Sequence, residues 1–160
     1  MQPFEEVVVE HGPVVLRVCR AVLGSDDAAE DAWSETFLSA LRAYPDLRPD
    51  SNVRGWLITI AHRKAIDQIR RRTRAPRLSG TTPDVAGEDL YRMPDGDLRA
   101  ALGRLPTKQR AAVAYRYLAD LSYAEIAALL DTSEVAARRS AADGIAKLRQ
   151  AYRATTGDHR

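Results

Sequence analysis

The sequence predicts an all-α fold made of two small helical domains joined by a flexible linker. Apolar residues recur at spacings of three and four in both halves of the chain, and no segment shows the strict alternation of a strand. Between the halves, residues 75–96 are rich in proline, glycine and polar residues, a composition typical of a linker. We therefore expect a first domain over residues 1–74, the linker over 75–96 and a second domain over 97–160.

The first domain is expected to begin with two helical segments. Residues Phe4 to Leu23 have a helical spacing that is interrupted at Gly12-Pro13, which predicts two short helices or one kinked helix. A second helix is expected from about Asp26 to Tyr44, because Ser25 or Asp26 can cap its start. The apolar face of this helix is predicted to consist of Trp33, Phe37, Ala40 and Leu41.

A third helix, expected from about Val53 to Arg72, combines an apolar face with a basic one. Its core candidates are Trp56, Leu57, Ile60, Ala61, Ile66 and Ile69. Residues 61–74 hold six basic side chains against one acidic side chain, although the whole chain has a net charge of only +2. Such a strip is typical of a surface that binds nucleic acid, because Lys and Arg neutralise phosphates.

Trp56 stands near the start of this basic helix, after a polar loop from Arg48 to Asn52. Unstacked bases of partly melted DNA can rest on aromatic side chains while arginines hold the phosphates. The loop could supply hydrogen bonds to an extruded base. A lone tryptophan on a helix is more often part of the core, so both roles stay open for Trp56.

Four helical patterns follow the linker in quick succession. They are expected at about Asp97–Gly103, Thr107–Leu118, Tyr123–Leu130 and Ser133–Tyr152. Ser122 and Glu125 fit a capping box at the start of the third pattern. After a short break at Asp131-Thr132, Ser133 can cap the fourth. Two helices with so tight a turn predict a helix-turn-helix, and an ordinary helical hairpin is the alternative.

In a DNA-binding helix-turn-helix, the early residues of the second helix enter the major groove. The candidates for base contacts here are Ser133, Glu134, Ala137, Arg138 and Ser140. Arg139 lies on the same early turns. In the helix upstream, Lys108 and Arg110 are candidates for phosphate contacts that would fix the register of the domain on DNA.

Composition and residue spacing argue against several classes of protein. Hydrophobic residues make up 45% of the 160 residues, too many for a wholly disordered chain. No enzyme, metal or cofactor is expected, because His11, His62 and His159 are scattered and no nucleophile or phosphate-binding glycine loop accompanies them. Cys19 is expected to be a buried core residue. No apolar run approaches the length of a membrane span, so a cytoplasmic protein is expected.

Together, these segments resemble one family, the extracytoplasmic-function group (group 4) of the sigma-70 family of RNA polymerase sigma factors. DAAEDAWSETFLSAL resembles its regions 2.1 to 2.2, and NVRGWLITIAHRKAIDQIRRR resembles regions 2.3 to 2.4. LRAALGRLPTKQRAAVAYRYLADLSYAEIAALL, followed by SEVAARRSAADGIAKLR, resembles region 4. The resemblance implies region 2 in the first domain, region 4 in the second, and a protein that directs promoter-specific initiation of transcription.

The resemblance implies two partners, RNA polymerase core and promoter DNA. Docking on the clamp helices of the largest polymerase subunit would use Asp31, Ser34, Glu35, Leu38 and Leu41. Opening and reading of the minus-10 element would use Asn52, Arg54, Trp56, Arg63, Lys64, Arg70, Arg71 and Arg72. Reading of the minus-35 element would use Lys108, Arg110, Ser133, Glu134, Ala137, Arg138, Arg139 and Ser140. The flap of the second-largest subunit and an anti-sigma factor are further partners that the family allows.

The chain departs from the family pattern at positions that set specificity. Ser34 stands where Gln is usual, and Arg63 and Lys64 stand where Asn and Leu are common. In the recognition helix, Asp143 stands where a basic residue is usual, and a carboxylate near the DNA backbone would repel phosphate. The promoter sequence is therefore not implied by the resemblance.

Two other functions remain as alternatives to that of a sigma factor. A stand-alone helix-turn-helix regulator would bind duplex DNA tightly without polymerase. A sigma-like interaction protein would bind core polymerase without starting transcription. If the chain is a sigma factor, two small domains with basic faces on a long tether are expected to pack on each other, or on an inhibitor, and to hide their DNA surfaces when free.

Overall fold

The computed structural model describes residues 1–74 and 96–157, and every regular element in these ranges is a helix. The N-terminal domain (residues 1–74) holds α1 (Phe4–Leu23), α2 (Asp26–Ala43), a short 3-10 helix (Tyr44–Asp46) and α3 (Val53–Arg74). The C-terminal domain (residues 96–157) holds α4 (Gly96–Gly103), α5 (Thr107–Tyr117), α6 (Tyr123–Leu130) and α7 (Glu134–Gly157). The all-α prediction is confirmed, and the predicted linker, apart from residue 96, lies outside the described residues.

The first helix runs unbroken through Pro13. A proline inside a helix leaves the carbonyl four residues earlier, here that of Val9, without its helical donor. Both Val9 and Pro13 are exposed, so water can hydrate this carbonyl. On the opposite side, the indole Nε1 of Trp33 donates a hydrogen bond to the carbonyl of Gly12 at 3.0 Å. Of the two predicted forms, two short helices or one kinked helix, the first is therefore wrong, because the missing bond faces solvent and the helix continues through Pro13.

The second helix begins where the sequence predicts, with the hydroxyl of Ser25 accepting a hydrogen bond from the amide of Ala28. Phe37 and Ala40 lie in the core, and Trp33 packs against it. Leu41 was expected on the same apolar face, but 52% of it is exposed. That prediction was wrong because Leu41, about 100° around the helix from Ala40, lies at the edge of the apolar face, which the neighbouring helices leave open to water.

The core of the N-terminal domain is formed where α1, α2 and α3 meet. Val15, Leu57 and Ile58 are fully buried there. Cys19 is also buried, and burial raises the pKa of its thiol to about 12. This burial confirms the expectation that Cys19 is a core residue. A thiol with so high a pKa stays protonated near neutral pH.

The C-terminal domain packs α5 and α6 against the long helix α7. Tyr115, Leu121 and Ile126 are its largest fully buried side chains. Gly144 lies at the closest approach of α7 to α5, because a Cβ atom there would come within 2.6 Å of Val113 Cγ2. Between α6 and α7, Asp131 adopts a left-handed conformation (φ 52°) that reverses the chain. The predicted helix-turn-helix is thus formed.

Over residues 1–74 and 96–157, none of the helices is both long enough and apolar enough to cross a membrane.

Candidate polymerase and DNA interfaces

The predicted polymerase-binding residues form one stripe along the outer face of α2. Asp31, Ser34, Leu38 and Leu41 are exposed, and Glu35 is half-buried. Their spacing of three and four residues places them on neighbouring turns. Leu38 and Leu41 stand 56% and 52% exposed, which leaves two large apolar side chains side by side in water. An exposed apolar pair with a polar rim is typical of a protein-binding surface.

The basic strip of α3 is presented along its outer side. Arg63, Arg70 and Arg71 are exposed, while Arg54 and Lys64 are half-buried. Arg71 also lies 3.9 Å from the carboxylate of Glu35, a solvent-exposed pair of little energetic weight. The end of α3 is therefore a cationic surface that is open to phosphates.

Trp56 is half-buried and packs against the core beside Tyr44, with 6.3 Å between the ring centroids. Asn52, in the loop before α3, also has a structural contact. Its side-chain oxygen accepts a hydrogen bond from the backbone amide of Gly55 and so caps α3. The side-chain nitrogen of Asn52, Nδ2, donates to the carboxylate of Glu125 of α6 at 3.5 Å. Trp56 thus has a structural role and a partly open ring face, while Asn52 faces the C-terminal domain.

Both helices of the helix-turn-helix are capped by serine hydroxyls. Ser122 accepts from the amide of Glu125 at 3.1 Å, and Ser133 accepts from the amide of Ala136 at 3.0 Å. The capping box predicts that the Glu125 carboxylate returns to Ser122, but this carboxylate accepts from Asn52 instead. The caps fix the start of α7, the helix on which most of the predicted minus-35 residues lie.

On the recognition helix α7, Glu134, Arg138 and Arg139 are exposed and Ser140 is half-buried. Ala137 was predicted to contact bases, but it is 0% exposed and lies in the core of the domain. That prediction was wrong because Ala137 is on the face of α7 that packs against the rest of the domain, so its methyl group cannot reach a groove. Arg138 remains the central exposed cation, paired with Glu134 at 3.6 Å one turn earlier.

The two candidate phosphate contacts on α5 differ in their surroundings. Lys108 is exposed. Arg110 is half-buried and donates hydrogen bonds to the carbonyls of Val22 at 2.7 Å and Leu105 at 3.0 Å. Burial and the neighbouring Arg72 lower the pKa of Arg110. In this arrangement Arg110 is committed to the protein and does not present its charge to DNA.

The bond from Arg110 belongs to a larger contact between the domains at the C-terminal end of α1. The last carbonyls of a helix lack intrahelical donors and carry partial negative charge. Across the domains, Arg110 donates to Val22, and Arg99 donates to Gly24 at 3.4 Å and to the Asp26 carboxylate at 2.9 Å. Within the N-terminal domain, Arg72 donates to the adjacent carbonyl of Leu23 at 3.0 Å. We call these three side chains, Arg72, Arg99 and Arg110, the arginine cap.

A second contact joins α3 to the C-terminal domain. His62 Nδ1 and the hydroxyl of Tyr115 form a hydrogen bond of 2.5 Å, and the two rings meet edge to face. Burial lowers the pKa of His62, with Arg63 adding to the decrease and the backbone of Leu129 opposing it. Burial raises the pKa of Tyr115, so its hydroxyl is protonated and donates to a neutral His62.

These contacts close the two domains on each other, with α1 packed against α4 and α5.

Local sequence patterns did not mark Arg99, His62 or Tyr115, since the partners of all three are distant in the chain. Tyr123 was also missed, although its place directly after a capping serine was visible. Its ring lies beneath the guanidinium of Arg138. Only the packing of helices reveals such pairs.

Comparison with known proteins identifies both halves of the chain. Residues 7–75 match the family described as Sigma-70 region 2, and residues 95–148 match Sigma-70, region 4. The chain is 33% identical over 155 residues to the RNA polymerase sigma factor CarQ of Myxococcus xanthus, covering 92% of this chain and 87% of CarQ. It is 34% identical over 140 residues to the ECF RNA polymerase sigma factor SigE of Mycolicibacterium smegmatis, covering 81% of this chain.

The alignment spans 54% of SigE, so this chain corresponds to about half the length of that relative. The fold is also similar to that of the sigma factor RpoE in its co-crystal structure with the anti-sigma factor NepR from Bartonella quintana. The TM-score is 0.77 at 19% identity, over 94% of this chain and 96% of that one. With region 2 and region 4 present in order, the chain belongs to the extracytoplasmic-function group of the sigma-70 family, the RNA polymerase sigma factors that direct promoter-specific transcription.

Proposed function

We propose that the two domains divide promoter reading between them, the N-terminal domain taking the minus-10 element and the C-terminal domain the minus-35 element. The observation that carries this proposal is the presence of one exposed cationic surface on each domain, on α3 and on α7. On α3, the exposed Arg63, Arg70 and Arg71 follow Trp56 along the same helix, a combination suited to melted DNA. On α7, Arg138 and Arg139 follow a capped helix start, the geometry of major-groove reading.

Core polymerase binds through the outer stripe of α2. Leu38 and Leu41 bury their exposed apolar surface against the clamp helices, and Asp31 and Glu35 supply charge at the rim. On the C-terminal domain, an apolar groove between α4, α5 and α7 is lined by Leu98, Tyr117, Ile145 and Leu148. This groove is the surface for the flap of the second-largest subunit.

The closed arrangement is the inactive form of the free protein. Arg72 and Arg110, both candidates for phosphate contacts, are held in the arginine cap, and Asn52 of the minus-10 loop faces α6. Polymerase binding separates the domains and releases Arg110 and Asn52, whose bonds cross between the domains, for DNA. An anti-sigma factor, the kind of partner seen with RpoE, holds the chain in a form that does not bind core polymerase.

In vitro transcription tests the proposed function. Genomic DNA fragments are transcribed with bacterial core polymerase, with and without this protein, and the start sites are mapped. We expect discrete start sites that depend on the protein, with shared sequence elements near minus 10 and minus 35. Leu38→Glu on the α2 stripe should abolish them, whereas Arg17→Glu, on an exposed position of α1, should not.

The alternatives give different outcomes in the same experiment. Core binding without new start sites would favour a sigma-like interaction protein. Absence of core binding, together with tight binding of the free protein to promoter duplex, would favour a stand-alone regulator. Either result would contradict the proposal.

A further inference from the structure

Three side chains from three helices form a stack at one edge of the C-terminal domain. We call it the tyrosine stack, and its members are Arg116 of α5, Tyr123 of α6 and Arg138 of α7. The guanidinium carbon of Arg138 lies 4.4 Å from the centroid of the Tyr123 ring, and that of Arg116 lies 4.7 Å from the same centroid. Both distances are within the range of cation–π attraction. One ring therefore holds two cations, one of which is the main exposed cation of the recognition helix.

The ring itself is firmly placed. Tyr123 is the first residue of α6, directly after the capping serine, and its side chain packs against the core of the domain. Arg116 is fixed as well, because it also donates a hydrogen bond to the carbonyl of Leu121 at 3.0 Å. Two of the three members are thus anchored to the scaffold, and the third, Arg138, is attached to it through the ring.

Arg138 would otherwise have great freedom, since its side chain is 62% exposed. A long side chain that is free in solution loses rotamer entropy when a ligand fixes it. Stacking uses the flat face of the guanidinium and leaves its N–H edge available. That edge is the part of arginine that recognises guanine in the major groove.

Glu134 acts on the same guanidinium from another side. Its carboxylate lies 3.6 Å from Arg138 Nη2, one turn earlier on α7. An exposed ion pair of this kind is weak and is easily exchanged for a base or a phosphate. The ring, in contrast, does not compete with DNA for N–H donors. The two neighbours therefore have different effects: Tyr123 orients the guanidinium, and Glu134 occupies its donors until DNA replaces it.

We propose that Tyr123 is a positioning residue for promoter recognition, which holds Arg138 in the orientation that reads the minus-35 element. The inference rests on the proposed role of α7 in minus-35 reading. It assigns a part in that reading to Tyr123, a residue of α6 outside the recognition helix. Tyr123 does not contact bases in this scheme. It raises affinity and selectivity at the minus-35 element by reducing the freedom that Arg138 loses on binding.

The test uses holoenzyme made from bacterial core polymerase and the full chain. The probes are promoter fragments selected in the transcription experiment, each paired with a version whose minus-35 element is scrambled. Tyr123→Leu removes the ring but keeps apolar bulk, and we expect it to weaken binding to the intact promoter by about two- to fivefold. Binding to the scrambled promoter should not change, and Tyr123→Phe, which keeps the ring, should bind like the unaltered protein.

A double-mutant cycle separates positioning from a general structural effect. In an Arg138→Ala background, Tyr123→Leu should cause no further loss. If Tyr123→Leu weakens binding to both probes, or weakens it equally in the Arg138→Ala background, the role is structural and the inference is overturned. If Arg138→Ala is selective for the intact minus-35 element but Tyr123→Leu has no effect, the inference fails while the proposed function stands. If Arg138→Ala itself shows no minus-35 selectivity, the assigned role of Arg138 fails and the inference fails with it.

Discussion

At the scale of single residues, Gly144 shows how tightly the two long helices of the C-terminal domain approach each other. A Cβ atom at this position would lie 2.6 Å from Val113 Cγ2 and 3.3 Å from the carbonyl of Gln109. One of these neighbours is backbone and cannot easily move. Gly144 therefore has a clear packing role.

We expect Gly144→Ala to lower the free energy of unfolding by about 1–3 kcal/mol, because it overpacks the contact between α5 and α7. Urea denaturation followed by circular dichroism would measure this. Gly103→Ala is the matched control, since nothing lies within 4 Å of a Cβ atom there, and it should leave stability nearly unchanged. Equal stability of the two variants would contradict the close packing at Gly144.

At the scale of elements, the strip on α3 and the recognition helix α7 should differ in what their charges contribute. Phosphate contacts raise affinity for every sequence and make it dependent on salt, whereas base contacts discriminate between sequences. Arg71 is exposed at the end of α3 and is paired only loosely with Glu35. Arg72 has a second role, because it also donates to the carbonyl of Leu23 in the arginine cap.

We expect Arg71→Ala to weaken holoenzyme binding to all promoters alike. The slope of the logarithm of the binding constant against the logarithm of the salt concentration should become smaller by about one. Filter binding or fluorescence anisotropy over a range of salt concentrations would measure both effects. Arg17→Ala, at an exposed position of α1, serves as the control and should change neither. A loss confined to particular promoter sequences would contradict a phosphate contact.

At the scale of the whole molecule, the contact between the domains depends on hydrogen bonds from charged side chains to backbone carbonyls. Two arginines of the C-terminal domain, Arg99 and Arg110, satisfy carbonyls at the end of α1. Hydrogen bonds from charged groups contribute about 1.5–3 kcal/mol each, more than neutral ones. If one of these arginines is removed, the carbonyl at the end of α1 that it contacts loses its donor. Water can replace that donor only when the domains separate.

We expect Arg110→Met to shift the free protein toward an open form, since methionine keeps the apolar stem but not the donors. The closed form should lose about tenfold or more in population relative to the open form. Small-angle X-ray scattering should show a larger radius of gyration than that of the unaltered protein. Lys108→Met, at an exposed neighbouring position, should have no effect on the domain arrangement. An unchanged radius of gyration in Arg110→Met would contradict the role of the arginine cap.

Closure should also depend on pH through His62. Because burial lowers the pKa of His62 in the closed form, that form favours the neutral imidazole, and the open form titrates near the ordinary value of about 6.5. The contribution of His62 to closure is therefore complete above about pH 6.5 and is lost progressively as the pH falls below that value. We expect the open population to grow as the pH falls from about 6.5 to about 5.5.

Energy transfer between dyes at Arg42→Cys and Lys147→Cys, both exposed positions, would follow this opening. The native thiol of Cys19 is buried, with a pKa of about 12, and should resist labelling. His62→Gln should remove the pH dependence. His11→Gln should preserve it, because His11 is buried and the charged groups that act on its pKa, Glu10 and Arg54, belong to the N-terminal domain. Equal pH dependence with and without His62 would contradict the assignment.

The sequence by itself determined the helical fold, most helix boundaries and the helix-turn-helix. These features depend on periodicity, capping residues and prolines, all of which act within a few residues along the chain. The predicted end of α2 at Tyr44 differs by one residue from the observed end at Ala43. The helix Tyr123–Leu130 was predicted with its observed bounds.

Only the tertiary structure decided which side of a helix is covered and which distant group each polar side chain meets. Leu41 faces water and Ala137 faces the core because neighbouring helices cover one side of α2 and α7 and not the other. Arg110 binds a carbonyl 88 residues earlier in the chain, and Tyr115 meets His62 from the other domain. Periodicity shows that a helix has an apolar face, but contacts between helices arise from packing in three dimensions, which no local pattern records.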